Sequence, residues 1–127
     1  MEHVRPIVIR ADQGTIAPGP PTPGMERRQI MEGGTTWVGW ARTEPGLAGG
    51  WHHHGDRDTY VYVVSGDLSI DYGPGGREHV EATAGDMIFN PARMVHRETT
   101  GDEPAEVFLV RVGTGPQTVN VDGPDPD

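Results

Sequence analysis

Trp51-His52-His53-His54-Gly55-Asp56-Arg57-Asp58-Thr59-Tyr60-Val61-Tyr62-Val63-Val64 is the stretch that decides how this chain folds. Its second half, Thr59 to Val64, is rich in β-branched and aromatic residues and predicts a β-strand. Successive side chains of an extended segment point to opposite faces, so His52 and His54 share one face and His53 takes the other. Two imidazoles placed in this way on an inner face form a pair of metal ligands. A third, His96, follows a strand-like run at Met87 to Phe89 and the turn at Asn90-Pro91. The pattern predicts a small metal-binding β-barrel.

Working outward, Val4 to Arg10 alternates weakly and predicts a first strand. Ala17-Pro18-Gly19-Pro20-Pro21-Thr22-Pro23-Gly24 reads as a loop, because proline fixes φ and removes the backbone donor. Met25 to Met31 and Thr35 to Thr43 are the next strands, and Gly49-Gly50 loosens the approach to the histidines. After Thr59 to Val64, Ser65-Gly66-Asp67 reads as a hairpin turn into Leu68 to Tyr72. Glu78 to Ala82, Met87 to Phe89, Val95 to Thr99 and Ala105 to Val112 follow, with turn signals between them. Gly113 to Asp127 is rich in glycine and proline and acidic at its end, so its last residues are expected to be disordered. No segment carries a sustained apolar stripe of helical period. Short strands separated by frequent turns predict an all-β sandwich or barrel. The expected organisation is one domain over 1–127, with an N-terminal strand and proline-rich loop (1–24), a barrel core (25–112) and a partly disordered acidic tail (113–127).

Composition narrows the chemistry. The chain has 127 residues and no cysteine, so a transition-metal site must use nitrogen and oxygen donors, which suits iron, manganese, nickel, copper or zinc. Formal net charge is −9, from 19 acidic and 10 basic residues, which argues against a nucleic-acid surface. All the basic residues are arginines, and the absence of lysine excludes Schiff-base chemistry and a lysine-based phosphate loop. The N-terminus has no signal-peptide pattern, and no apolar run approaches membrane-spanning length. A cytoplasmic protein with no membrane partner is expected.

The residues around the histidines resemble the two motifs of the cupin superfamily. The first, G-x5-H-x-H-x3-4-E-x6-G, is matched by Gly46, His52, His54 and Gly66, with Thr59 at the acidic position. The second, G-x5-P-x-G-x2-H-x3-N, is matched by Gly85, Pro91 and His96, while Arg93 replaces the second glycine and Thr100 the asparagine. The resemblance spans Gly46 to Thr100 and implies a double-stranded β-helix (jelly-roll) cupin barrel with a metal in its mouth. Carried over by position, the implied metal ligands are His52, His54 and His96. The fourth family ligand falls on Thr59, a poor ligand. Asp58 is the alternative that the shorter spacing permits, although strand alternation turns it the other way unless a bulge intervenes.

A three-histidine site of this kind implies a divalent transition metal, iron first, with waters completing its coordination. It implies a metal-dependent enzyme acting on a small organic molecule, a dioxygenase above all, with no further cofactor and no assignable catalytic acid or base. A non-catalytic small-ligand-binding or sensing barrel is the alternative, and a sugar-type isomerase or epimerase a third reading. Glu98 and Thr100 share a strand face with His96 and are candidates to fix imidazole tautomers. Arg93 is a candidate for binding an anionic substrate, set against a surface salt bridge. His53, His3 and His79 are expected away from the metal, and Trp51 at the pocket mouth. The resemblance also implies a homodimer, with the Val4 to Arg10 strand a candidate for exchange between subunits.

Overall fold

The computed structural model describes residues 5–10, 14–17, 22–46 and 49–126. Eleven strands account for nearly all of its regular structure: β1 (Thr15–Ile16), β2 (Met25–Gly33), β3 (Thr36–Thr43), β4 (His52–His53), β5 (Asp58–Ser65), β6 (Asp67–Tyr72), β7 (Glu78–Thr83), β8 (Met87–Asn90), β9 (Arg97–Thr100), β10 (Ala105–Val112) and β11 (Val119–Asn120). A short 3-10 turn at Pro74–Gly76 joins β6 to β7. No helix among the described residues is long and apolar enough to cross a membrane.

One sheet has the order β1-β2-β3-β10-β5-β8, and smaller sheets pair β11 with β4 and order β7-β6-β9. The bridge between His52 and His96, with reciprocal backbone hydrogen bonds of 2.9 Å, joins the two smaller sheets into one opposing layer. The result is the expected all-β jelly roll. Period-two alternation builds its core. Trp37 and Ala41 on β3, Val61 and Val63 on β5, Leu68 on β6, and Ala105, Val107 and Leu109 on β10 turn inward and pack together.

Register then places the polar end of the barrel. Val107 lies opposite Val63, Leu109 opposite Val61, and Arg111 opposite Thr59. The inward rows of β5 and β10 therefore end together in polar residues, both buried. The histidines close over this end.

Three details depart from the sequence expectations. Arg5 to Arg10 form no strand, and Val4 lies outside the described residues. The outermost strand of the large sheet is instead Thr15–Ile16, paired with Gln29 and Arg28. Pro18 to Pro21 of the proline-rich loop and His3 also lie outside the described residues. Ser65-Gly66-Asp67 is a crossover and not a hairpin, because β5 belongs to the large sheet and β6 pairs with β7 and β9. Finally, the tail is not disordered over Gly113 to Pro126. Val119 and Asn120 pair with His53 and His52, and the Gly75 N–H donates to the Asp125 carbonyl at 2.8 Å. Composition favours disorder there, but backbone hydrogen bonding to the edge of β4 outweighs it.

The crossover depends on glycine. Gly66 has φ 81°, and a Cβ there would lie 2.5 Å from the Pro104 carbonyl oxygen and 2.9 Å from the Ala105 Cα. Gly85, at φ 95°, has open space around the same position. Both positions disfavour alanine through backbone strain, but Gly66 adds a backbone collision. Gly66→Ala is expected to cost about 2–4 kcal/mol in urea unfolding, against about 1 kcal/mol for Gly85→Ala. Equal costs would show that the chain does not cross closely at Gly66.

Candidate metal centre

The site begins with backbone geometry. Asn120 pairs with His52 on one side of β4, and the bridge to His96 holds the other, so His52 and His96 are fixed across a strand pair. His54, two residues on, turns to the same interior as alternation requires. The rings of His52 and His96 lie 4.4 Å apart between centroids, and His54 lies 5.1 Å from His52 and 5.2 Å from His96. All three residues are buried, and one ring nitrogen of each falls within 4.8 Å of the others.

A backbone carbonyl fixes each tautomer. His52 Nδ1 donates to the Gly50 carbonyl at 2.8 Å, His54 Nδ1 to Gln117 at 2.7 Å and His96 Nδ1 to Met94 at 2.9 Å. Carbonyl oxygens only accept, so the proton of each neutral imidazole sits on Nδ1 and the lone pair on Nε2. Nε2 of His52 and His96 has no hydrogen-bond partner and is sealed from water.

Glu98 reaches these nitrogens from β9. Its Oε1 lies 3.2 Å from His96 Nε2 and its Oε2 3.5 Å from His52 Nε2. With neutral imidazoles this places lone pairs against a carboxylate, a repulsive contact in a low-dielectric interior. A cation resolves it, either a proton on Nε2 or a metal ion. The three imidazoles, with one ring nitrogen of each within 4.8 Å of the others and a carboxylate against two of them, fit a divalent transition metal. His52, His54 and His96 would hold it, with Glu98 against two of them.

Titration behaviour follows from the same contacts. Burial pushes His54 well below its ordinary 6.5, and the positive charge of Arg111 acts in the same direction. Burial also lowers His96, but the charge of Glu98 held against its Nε2 outweighs it and leaves His96 raised. Burial raises Glu98, yet His52 and His96 hold it well below the usual 4.5.

The other sequence candidates fall in different places. Thr59 is buried at the cavity, and its Oγ1 has no partner. Asp58 faces away and accepts a hydrogen bond from the Ala92 N–H at 2.9 Å, which fixes the turn before His96. Thr100 donates to the Glu44 carbonyl at 2.7 Å, so it ties β9 to the loop after β3 and does not orient an imidazole. Glu98 likewise faces the metal side of the rings and leaves the tautomers to backbone carbonyls. Arg93 is exposed and paired with Asp56 at 2.6 Å. It holds φ 65°, the conformation for which the motif uses glycine, and is the non-glycine residue with positive φ among the described residues. His53 points away, its Nδ1 accepting from the Gly55 N–H at 3.0 Å. Trp51 stacks on the Arg97 guanidinium at 4.5 Å.

Sequence reading missed two arginines. Arg27 and Arg111 are buried and line, with His54, Thr59, Asn90 and Glu98, an interior void of about 20 Å³. The signal was present: Arg111 continues the inward row Ala105, Val107, Leu109, and Arg27 shares the inward face with Met25. A larger concavity of about 520 Å³, with Asp67, Glu81, Asp86 and Thr100 on its walls, lies over β6 and β7 and holds none of the three histidines.

Comparison with known proteins agrees with this fold. The family model described as "Cupin domain" matches residues 39–111. Among solved structures, an uncharacterized conserved protein with a double-stranded β-helix domain from Klebsiella pneumoniae superposes with TM-score 0.70 at 19% identity, covering 92% of this chain and 98% of that one. The polyketide cyclase RemF from Streptomyces resistomycificus superposes with TM-score 0.71 at 18% identity, covering 94% and 86%. The oxalate decarboxylase of Bacillus subtilis, a protein described with Mn(II) centers, gives TM-score 0.67 at 19% identity, with 84% of this chain matching 30% of that one. No curated protein matches the chain.

The raised His96 and depressed Glu98 make the metal-free site pH-sensitive. His96 contributes stability below 6.5, and that contribution is lost as pH rises through its higher folded value. Glu98 contributes above 4.5, and its contribution is lost as pH falls through its lower folded value. His54, kept neutral by burial, adds to the loss on the acid side, because the unfolded chain takes up its proton below 6.5. An NMR titration of metal-free protein is expected to place His96 above 6.5 in the wild type and below it in Glu98→Gln. An unchanged His96 would show that Glu98 does not face it in solution.

Proposed function

We propose that this chain, which belongs to the cupin domain family, is a metal-dependent enzyme acting on a small organic molecule, specifically a dioxygenase using iron(II) at His52, His54 and His96. The observation that carries this reading is the convergence of three lone-pair-bearing Nε2 atoms, two of them facing the Glu98 carboxylate in a buried site. Iron(II), when bound at these residues, would supply Lewis acidity and redox chemistry.

The chain's own residues set the conditions. Carbonyls of Gly50, Gln117 and Met94 hold the Nδ1 protons and so keep the three Nε2 atoms available. Glu98 supplies one negative charge where the motif position Thr59 supplies none. The Thr59 hydroxyl, sealed from water and without a partner, can donate to or accept from a bound molecule. The apolar rows of β5 and β10 close the inner end against water, which strengthens each of these polar contacts. Oxygen uptake by iron-loaded protein, screened against diketones, flavonols, thiols and carboxylates, tests the reading. Turnover is expected in the wild type and a loss of at least about 100-fold in folded His52→Ala. No uptake with any of these classes would overturn the dioxygenase assignment.

The functional unit we propose is a homodimer. Tyr60 and Tyr62 on β5, Met87 and Phe89 on β8, and Phe108 on β10 are exposed on the outer face of the large sheet. Register makes them contiguous, with Tyr60 opposite Phe89, and Tyr62 opposite both Met87 and Phe108. An apolar, twisted sheet face is complementary to its own two-fold copy. Light scattering at micromolar concentration is expected to give twice the chain mass, falling to one chain mass in Tyr62→Glu/Phe108→Glu. A wild-type monomer would refute it.

A further inference from the structure

The barrel interior holds more positive charge than the metal centre needs. Arg27 is 9% exposed and Arg111 1% exposed, and both line the void beside His54 and Glu98. Burying a guanidinium is unfavourable unless an anion compensates it. The side-chain hydrogen bonds of both go to neutral groups. Arg27 Nη1 donates to Thr22 Oγ1 at 2.9 Å and Nη2 to Met25 Sδ at 3.5 Å. Arg111 Nη1 donates to Gln117 Oε1 at 3.2 Å, and its guanidinium stacks on Trp37 at 4.6 Å. The Nε of each is buried without any partner.

Glu98 is the acid that lines this void, and its oxygens already face His52 and His96. One carboxylate therefore answers two guanidiniums, and a divalent metal would add two more positive charges. The interior is short of negative charge and presents buried N–H donors to supply it with partners.

We propose that Arg27 and Arg111 form a receptor for one carboxylate group, so that the molecule bound at this site is a small carboxylate anion. This inference rests on the metal-dependent reading above, and names its substrate class. The void decides the size. About 20 Å³ has room for about one water-sized group, so a carboxylate oxygen can enter it and a sugar ring cannot. A guanidinium fork matches a planar carboxylate, and a water in the same place would leave the charge unanswered. The titration directions agree: burial lowers both arginines, and Arg111, with the charge of Arg27 adding to burial, falls to about 9. A bound carboxylate would reverse that trend.

Calorimetry on the full chain, zinc-loaded and metal-free, at constant ionic strength, tests this with acetate and oxalate as probes. Wild type is expected to bind one or both, at least tenfold more tightly than Arg27→Gln and Arg111→Gln, while each variant still takes up one zinc per chain. Equal affinity in wild type and variants, or no binding to wild type in either form, overturns the proposal. Should an arginine variant fail to fold, the wild type alone decides: addition of oxalate is expected to shift the Nε–H resonances of both Arg27 and Arg111, and unshifted resonances overturn it. The two readings fail separately. Zinc uptake without arginine-dependent carboxylate binding sinks the receptor alone, whereas arginine-dependent binding to a chain that takes up no metal sinks the metal-dependent enzyme and keeps the receptor.

Discussion

A carboxylate facing two imidazole lone pairs inside a barrel repels them unless a cation lies between. That contact, Glu98 against His52 and His96 at 3.2–3.5 Å, is the constraint on which the site depends. It is imposed by elements that leave the side chains little freedom. The reciprocal backbone bonds of His52 and His96 fix the strand pair, and three carbonyls fix the rings. The tail from Gly113 onward is part of this frame, since Gln117 orients His54 and Asn120 pairs with His52. A proton satisfies the contact only below the raised value of His96, and a metal ion can satisfy it at any pH where the imidazoles are neutral.

The departures from the family motifs make physical sense together. Thr59 removes the carboxylate that the first motif places on β5. Glu98 brings one in from β9, two residues after His96 and on the same strand face. The site thus keeps a negative charge while changing the wall it comes from. Arg93 takes the left-handed conformation of the motif glycine and is held there by its own N–H, which donates to the Gly55 carbonyl at 2.8 Å, and by Asp56. Its charge is spent at the surface, and the cations that reach the interior are Arg27 and Arg111.

Much of this was legible in the sequence because a strand has a period of two. That rule alone puts His52 and His54 together, turns His53 away, and sends Val61, Val63, Val107 and Leu109 inward. The same rule would have exposed Arg111 as an inward cation, but a buried arginine runs against the expectation that charged residues face water. What alternation cannot supply is which strands meet. The crossover at Gly66 looks like a hairpin because a positive-φ glycine serves both, and the choice is made by the distant Pro104–Ala105 backbone. Composition of the tail gives no hint of β11, whose two residues gain their order from the edge of β4. The side of the rings that Glu98 faces is likewise set by the bridge between His52 and His96.

The proposed metal ligands are His52, His54 and His96, with Glu98 beside them. Elemental analysis of untagged protein, reconstituted without oxygen with iron, manganese, nickel, copper or zinc and then desalted, tests this assignment directly. One metal ion per chain in the wild type and none in folded His54→Ala is the result this account predicts. No metal retained by the wild type from any of the five, or equal retention by His54→Ala, would contradict it.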